Sequence, residues 1–283
     1  MSEVLARIRS LRRSAARELA SVLNGVIHKR PSEVELRDAW HERLAEDSAT
    51  CSEGWYMPPP HGIVLAVGDP PLFERLSAPT FRPELTWPST RHRLGRESLL
   101  GTHSSRVHQA TGTIGDIGCA LYRGEDPAIR AHLRQVWHVT LRIVEEVETG
   151  MTFGQLHDRA MNILRENDLA NNTYRAHAGS ETNIGHTIPW SNEPIQQAER
   201  LTLATGTPEQ IAELVSGKRR FISQTESLEI TEDVAFTIEP RLSRPGLPPA
   251  WFHVVVGFEQ GKRVVITEFE PIFDAYGMNY VSA

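Results

Sequence analysis

The chain has 283 residues, of which 40% are hydrophobic and 23% charged, the proportions of a globular protein of one large domain or two small ones. Its formal net charge of -6 offers no concentrated basic face, so no nucleic-acid partner is expected. Two cysteines, Cys51 and Cys119, supply neither a disulfide framework nor a cysteine metal cluster and point to a reducing, cytoplasmic setting. No apolar run reaches the roughly 18 residues of a membrane span, so no membrane partner is expected.

Val4, Leu5, Ile8, Leu11, Ala15, Leu19, Val22, Leu23 and Val26 recur at helical spacing and predict one amphipathic helix to about Ile27. The segment is Arg- and Ser-rich, like a transit peptide, but Glu3 and Glu18 interrupt it and no apolar core follows, so an ordinary helix is expected. Pro31 stops it. A second helix follows in "PSEVELRDAWHERLAED", with Ser32 as N-cap and Glu35 as its capping-box partner. Residues 52–100, rich in Pro, Gly and Trp, predict irregular connections around short strands, and 57–90 is a candidate lid or dimer contact. A third helix runs from Asp126-Pro127 to about Glu148 and is ended by Gly150; a fourth starts at Thr152, with Gln155 as capping-box partner.

A shift of 120 residues superposes Leu19 on Val139, Leu23 on Ile143, Ser32 on Thr152, Leu36 on Leu156 and Asp38 on Asp158. The reading is an α+β chain made of a duplicated helix pair, with halves 1–125 and 126–283 and a site at their junction. Beyond about Thr173 the pattern is strand-rich ("WFHVVVGF", "KRVVITEFEPIF", "MNYV"), with a helical insertion within 200–228 around "TPEQIAELVSGKRR".

In "EDVAFTIEP" an apolar strand ends in Glu239, held in front of Pro240. A carboxylate buried there persists only if it is paired, protonated or bound to a metal. Other ligand candidates exist: Asp116 between glycines in "TIGDIG", His186 in "NIGHTIP", and Glu270 in "ITEFEPIF", expected to share one strand face with Glu268. One histidine with three carboxylates suits Mn, Fe, Co or Zn. His61 and His92 are candidate acid–base or substrate groups, against a plain reading as solvated loop histidines, and Trp55, Trp87, Trp190 and Trp251 could line an apolar pocket or simply fill the core.

These motifs resemble the pita-bread superfamily of methionine aminopeptidases, prolidases, aminopeptidase P and creatinase. "FTIEP" is similar to the strand carrying that family's first metal glutamate, "GHTIP" to its metal histidine, "FEPIFDAYGMNYV" to its last glutamate strand, and "GDIGCALYRGEDP" to the segment that opens on its second metal aspartate. The resemblance covers essentially the whole chain, with no added N-terminal domain of the prolidase kind expected. It implies a pita-bread fold, a curved and mainly antiparallel sheet between pseudo-two-fold helix pairs, a metal held by Asp116, His186, Glu239 and Glu270, and a homodimer by analogy.

Departures from the pattern alter what it implies. Ser105 stands where the family has its first aspartate, and His103 or His108 would replace it only with a shifted register. Thr187 and Pro189 replace glycines, and Asn192 and Glu193 stand where a second histidine is usual. The expectation is a metalloenzyme with one divalent ion acting on a small amino-acid-like or short-peptide substrate by hydrolysis, elimination or Fe-dependent oxidation, with Glu239 or Glu270 moving the proton. The alternatives are a conventional Xaa-Pro or methionine aminopeptidase and a non-catalytic binding module.

Overall fold

The computed structural model describes residues 1–51, 53–56, 59, 62–71, 73–77, 87–172 and 182–282. His61 lies outside them, as do 57–58, 60–61, 72 and 78–86 of the candidate lid. The helices are α1 (Ser2–Val26), α2 (Glu33–Ala45), α3 (Glu74–Ser77), α4 (Pro127–Glu145), α5 (Phe153–Glu166), α6 (Gln197–Thr205), α7 (Pro208–Gly217) and α8 (Glu270–Tyr276). The strands are β1 (Ile63–Gly68), β2 (Leu99–Ser104), β3 (Ile117–Tyr122), β4 (Ala170–Asn171), β5 (Asn183–His186), β6 (Phe221–Ser223), β7 (Phe236–Ile238), β8 (Leu242–Ser243), β9 (Val254–Glu259) and β10 (Lys262–Ile266).

Both expected capping boxes form. Ser32 and Glu35 exchange hydrogen bonds at the start of α2, and Thr152 and Gln155 do the same at the start of α5. Each box satisfies two amide donors that have no partner inside the helix. Asp126 caps α4 by accepting from the Ala128 and Ile129 amides, with Pro127 in the first turn, where its missing N–H costs nothing. α4 closes at Glu145, three residues short of the expected Glu148. The two helix pairs, α1 with α2 and α4 with α5, therefore share one construction, as the duplicated pattern predicts. Trp40 adds a specific tie, donating its indole N–H to the Ala15 carbonyl at 3.1 Å.

β1, β2 and β3 form an antiparallel sheet in that order, and β10, β9 and β7 form another. Backbone bonds join the two: the Ala120 amide donates to Trp251 O at 2.9 Å, and the His253 amide to Gly118 O at 2.8 Å. On the far side the Glu239 amide donates to Ile184 O and the Ile188 amide to Ala235 O, each at 2.7 Å, which attaches β5 and, through it, β6. Strands from both halves of the chain thus share one continuous hydrogen-bonded surface. Its core holds Leu19, Leu23 and Leu36 from the first helix pair, Leu133, Ile143 and Phe153 from the second, and Phe236, Phe252 and Phe269 from the C-terminal part. Each large apolar side chain so buried contributes about 1.5–3 kcal/mol.

The C-terminal segment departs from the strand reading. β10 stops at Ile266, Glu268 turns into the left-handed region at φ 58°, and 270–276 is helix α8 with Pro271 in its first turn. Pro271 lacks the N–H a strand would need, yet fits the first turn of a helix. "MNYV" is likewise turn rather than strand. Glu268 and Glu270 consequently do not alternate on one strand face. Gly277, at φ 74°, closes α8 in the left-handed conformation that glycine adopts without a Cβ penalty.

Candidate metal centre

Five side chains meet where the joined sheets cross. His103 lies near the end of β2, opposite Gly118 of β3. Asp116 immediately precedes β3, fully buried, with its backbone in the left-handed region at φ 47°. His186 ends β5, Glu239 follows β7, and His253 precedes β9. Asp116 and His103 come from the first half of the chain and the other three from the second, so the site forms at the junction.

His103 Nε2 is 2.6 Å from Asp116 Oδ1, and His253 Nδ1 is 3.6 Å from the same oxygen. His186 Nε2 is 3.0 Å from Asp116 Oδ2 and 3.6 Å from Glu239 Oε1, while His253 Nδ1 is 3.1 Å from Glu239 Oε2. Two three-residue groups of converging ligand atoms result: Asp116, His186 and Glu239 on one side, and His103, Asp116 and His253 on the other. Asp116 belongs to both.

The donor set tests whether a cation fits. The Thr187 carbonyl, 2.9 Å from His186 Nδ1, can only accept, so Nδ1 carries the proton. In the neutral ring Nε2 is then a lone pair facing two carboxylate oxygens, an arrangement that is repulsive unless a proton or a metal ion lies between them. Asp116 Oδ2, Glu239 Oε2 and His253 Nδ1 are all buried without a well-aligned hydrogen bond, despite neighbours near 3 Å. Ligands about 2.0–2.2 Å from a shared ion stand about 3.0–3.4 Å from one another, and the separations here, from 2.6 to 3.6 Å, straddle that range. The residues fit a divalent cation.

Electrostatics agree. Burial pushes the Asp116 carboxyl up, but contacts with His103, His186 and His253 outweigh it and hold the group well below the usual carboxylate range. Burial opposes the charged form of His253, yet Glu239 and Asp116 raise its pKa overall. Two glycines make room. A Cβ on Gly118 would approach the His253 ring to 2.9 Å, and one on Gly185 would come within 2.0 Å of the carbonyl of Thr237, whose hydroxyl accepts from the His186 amide at 3.1 Å.

The centre opens into a cavity of about 120 Å³, lined by Trp55, Tyr56, Phe221, Ala66, Leu76 and Trp251. Arg219 lines it too, half-buried, its guanidinium 4.0 Å from the Trp55 ring centre and 4.9 Å from that of Phe221. Among the described residues its Nε has no hydrogen-bond partner. Burial lowers the pKa of this arginine against the pull of Tyr56, Asp116 and Glu239.

No family model matches this sequence, and no curated protein matches it. Solved structures do match it by shape. An X-Pro aminopeptidase from Thermotoga maritima superposes with a TM-score of 0.62 over 94% of this chain and 61% of its own, at 13% identity. A methionine aminopeptidase from Rickettsia prowazekii does so with a TM-score of 0.58 over 94% of this chain and 98% of its own, at 12% identity. The fold is the pita-bread fold. A prolidase from Pyrococcus furiosus shares it, with a TM-score of 0.57 and 17% identity over 91% of this chain and 63% of its own. The chain spans about three fifths of the length of the X-Pro aminopeptidase and the prolidase.

Within this pita-bread frame the structure brings Asp116, His186 and Glu239 together and adds His103, a side candidate of the sequence reading. Ser105 is buried outside the cavity, and the β2–β3 register presents His103 instead, opposite Gly118. Glu270 is exposed at the start of α8, and Glu268 pairs with Arg13 at 2.9 Å and Arg9 at 3.4 Å; neither lines the cavity. His108 lies in a turn with Nδ1 2.9 Å from Thr111 Oγ1, and half-buried His92 is held through its backbone carbonyl, which accepts from the Glu33 amide. Trp55 and Trp251 line the cavity, whereas the Trp190 indole donates to Glu199 and Trp87 lies outside the lining.

His253 escaped the sequence reading. "WFHVVVGF" reads as an apolar strand, and the one available signal is a histidine sharing the alternating face of Trp251 and Val255. Arg219 gave no signal at all, because its burial depends on two aromatic rings remote or displaced from it in sequence.

Proposed function

We propose that this protein is a metal-dependent enzyme in which Asp116, His186 and Glu239 hold one divalent ion and the adjoining cavity receives a small amino-acid-like or short-peptide substrate. The observation that carries the reading is the His186 ring: its Nδ1 proton is committed to Thr187 O, so its Nε2 lone pair faces the buried Asp116 carboxylate and the half-buried Glu239 carboxylate. A bound ion would polarise a substrate carbonyl and acidify a water, the chemistry of metal-assisted hydrolysis. His103 and His253, on the opposite side of Asp116, are the proton carriers. His253 Nδ1, 3.1 Å from Glu239 Oε2 and 3.6 Å from Asp116 Oδ1, stands where it can pass a proton to a leaving group. The aromatic walls keep water from the reacting bond.

Arg219 gives the substrate its polarity. A desolvated guanidinium stacked between two rings is a binding element for an anionic group, and an amino acid or short peptide carries one as its carboxylate. The reaction proposed is hydrolysis, with cytoplasmic action. Among the described residues no helix is long and apolar enough to cross a membrane. A second reading places a further ion at the His103, Asp116 and His253 group, whose ligand atoms converge equally well.

Metal analysis of anaerobically purified protein tests both. About one ion per chain, lost in His186→Ala and Glu239→Ala and kept in Glu270→Ala, supports the proposal. Roughly two ions per chain favours the second reading. No ion after reconstitution with Fe, Mn, Co or Zn refutes both. A screen of dipeptides and amino-acid amides then reads the reaction, with Arg219→Met raising KM for carboxylate-bearing substrates while leaving amides unaffected.

A further inference from the structure

Arg12 is a charged residue in the buried stripe of α1, between Ile8 and Ala15, a face that otherwise holds apolar side chains. It is fully buried, and among the described residues its guanidinium donates to backbone carbonyls and to no carboxylate. Its five N–H bonds go to backbone carbonyls instead. Nη1 donates to Gly115 O at 3.1 Å and Asp116 O at 2.7 Å, Nη2 to His253 O at 2.6 Å and Thr267 O at 2.8 Å, and Nε again to Thr267 O at 3.2 Å. These carbonyls lie on three separate chain segments: the turn before β3, the residue before β9, and the end of β10.

Burying a guanidinium costs several kcal/mol unless its donors are satisfied, so a helix face holding only packing duties would carry leucine or methionine here. What the arginine supplies is a rigid planar fork that joins three segments at fixed separations. Two of those segments carry Asp116 and His253. Asp116 is held in a left-handed backbone conformation that a non-glycine residue adopts only when its surroundings over-determine it, and its own carbonyl is among those Arg12 grips.

We propose that Arg12 is a positioning residue of the centre: from behind the sheet it sets the separation and aim of the Asp116 carboxylate and the His253 imidazole by clamping their backbone carbonyls. It touches neither substrate nor ion. The proposal rests on the metal-centre reading above. Its positive charge, maintained although burial lowers its pKa to about 10, also offsets the two carboxylates that face the cavity. In the sequence the residue is invisible as such, because an arginine on a long helix reads as a surface group.

Cobalt(II) is the probe, since its visible absorption reports ligand geometry independently of turnover. Apo wild type, Arg12→Lys, Arg12→Met and a remote core variant, Trp40→Phe, are titrated with cobalt and melted in chelator. The expected result is a wild-type ligand-field band that shifts in both Arg12 variants, with cobalt affinity reduced tenfold or more in Arg12→Met and less in Arg12→Lys, which keeps the charge but loses the fork. Trp40→Phe, which loses its bond to Ala15 O, should melt lower with the wild-type spectrum and affinity. Arg12 variants with the wild-type spectrum and affinity overturn the proposal and leave Arg12 a packing residue. So does failure of both variants to fold, which would show no positioning role separable from stability. A wild type that takes up no cobalt at all is a different failure: it removes the metal-centre reading and this proposal with it.

Discussion

Gly118→Ala isolates how tightly the centre is built. The new Cβ would lie 2.9 Å from His253 Cε1 and 3.0 Å from each ring nitrogen, whereas ordinary carbon contacts sit at about 3.5–4.0 Å. The ring must retreat by roughly 0.5–1 Å, beyond the ~0.2 Å tolerance of a metal site and its supporting groups. Because His253 Nδ1 contacts both Asp116 and Glu239, the displacement reaches the ion's ligands. Losses at such supporting groups run about 10–100-fold in metal affinity, or about 1.4–2.7 kcal/mol at 1.36 kcal/mol per factor of ten. Overpacking should lower apo stability by about 1–3 kcal/mol as well. Gly25→Ala in α1, where an added Cβ meets nothing within 4 Å, is the control and should stabilise by about 0.5–1 kcal/mol. Isothermal titration with cobalt and urea melts of the apo proteins read both terms. Gly118→Ala with wild-type affinity would show that His253 has slack, and the argument that it tunes the ion's ligands would fail.

Glu33 at the start of α2 is fully buried and accepts from the Val67 amide at 2.5 Å, the Ser89 amide at 2.8 Å and Arg75 Nη2 at 3.1 Å. Glu33→Leu removes the acceptor shared by the Val67 and Ser89 amides and Arg75 and should cost about 3–5 kcal/mol, read by urea denaturation; a loss below about 1 kcal/mol would contradict that role. His132, buried with Nε2 3.0 Å from the Pro248 carbonyl, is pushed down to about 4 by burial. Its folded pKa lies below its unfolded value, so the unfolded chain binds the extra proton, and the stability present above pH ~6.5 is lost as pH falls towards 4. Between pH 7.5 and 5.5 this amounts to on the order of 1 kcal/mol, and His132→Gln should flatten that part of the profile in thermal melts; an unchanged slope would assign the loss to other groups.

Much of the frame was legible in sequence because it is written locally. A helix cap is chosen by residues three apart, so Ser32 with Glu35 and Thr152 with Gln155 announced two equivalent helices, and the apolar period of α1 announced which of its faces is buried. The strand-end context of Glu239 and the glycine before His186 likewise marked two of the converging groups.

Only the tertiary structure decided the rest. Whether Ser105 or His103 faces Asp116 is a matter of register between β2 and β3: the two are two residues apart and share a strand face, so only a two-residue slip would exchange them. Glu270 looked equivalent to Glu239 by motif, yet the backbone turn at Glu268 and the helix that Pro271 accommodates carry it to the surface. His253, Arg219 and Arg12 were unreadable for one shared reason: each acts through partners more than 100 residues away or through rings folded over it, and single-chain periodicity encodes neither. The sequence by itself determined the helix pairs and marked Asp116, His186 and Glu239; packing of distant segments replaced an expected set of one histidine and three carboxylates by three histidines and two carboxylates.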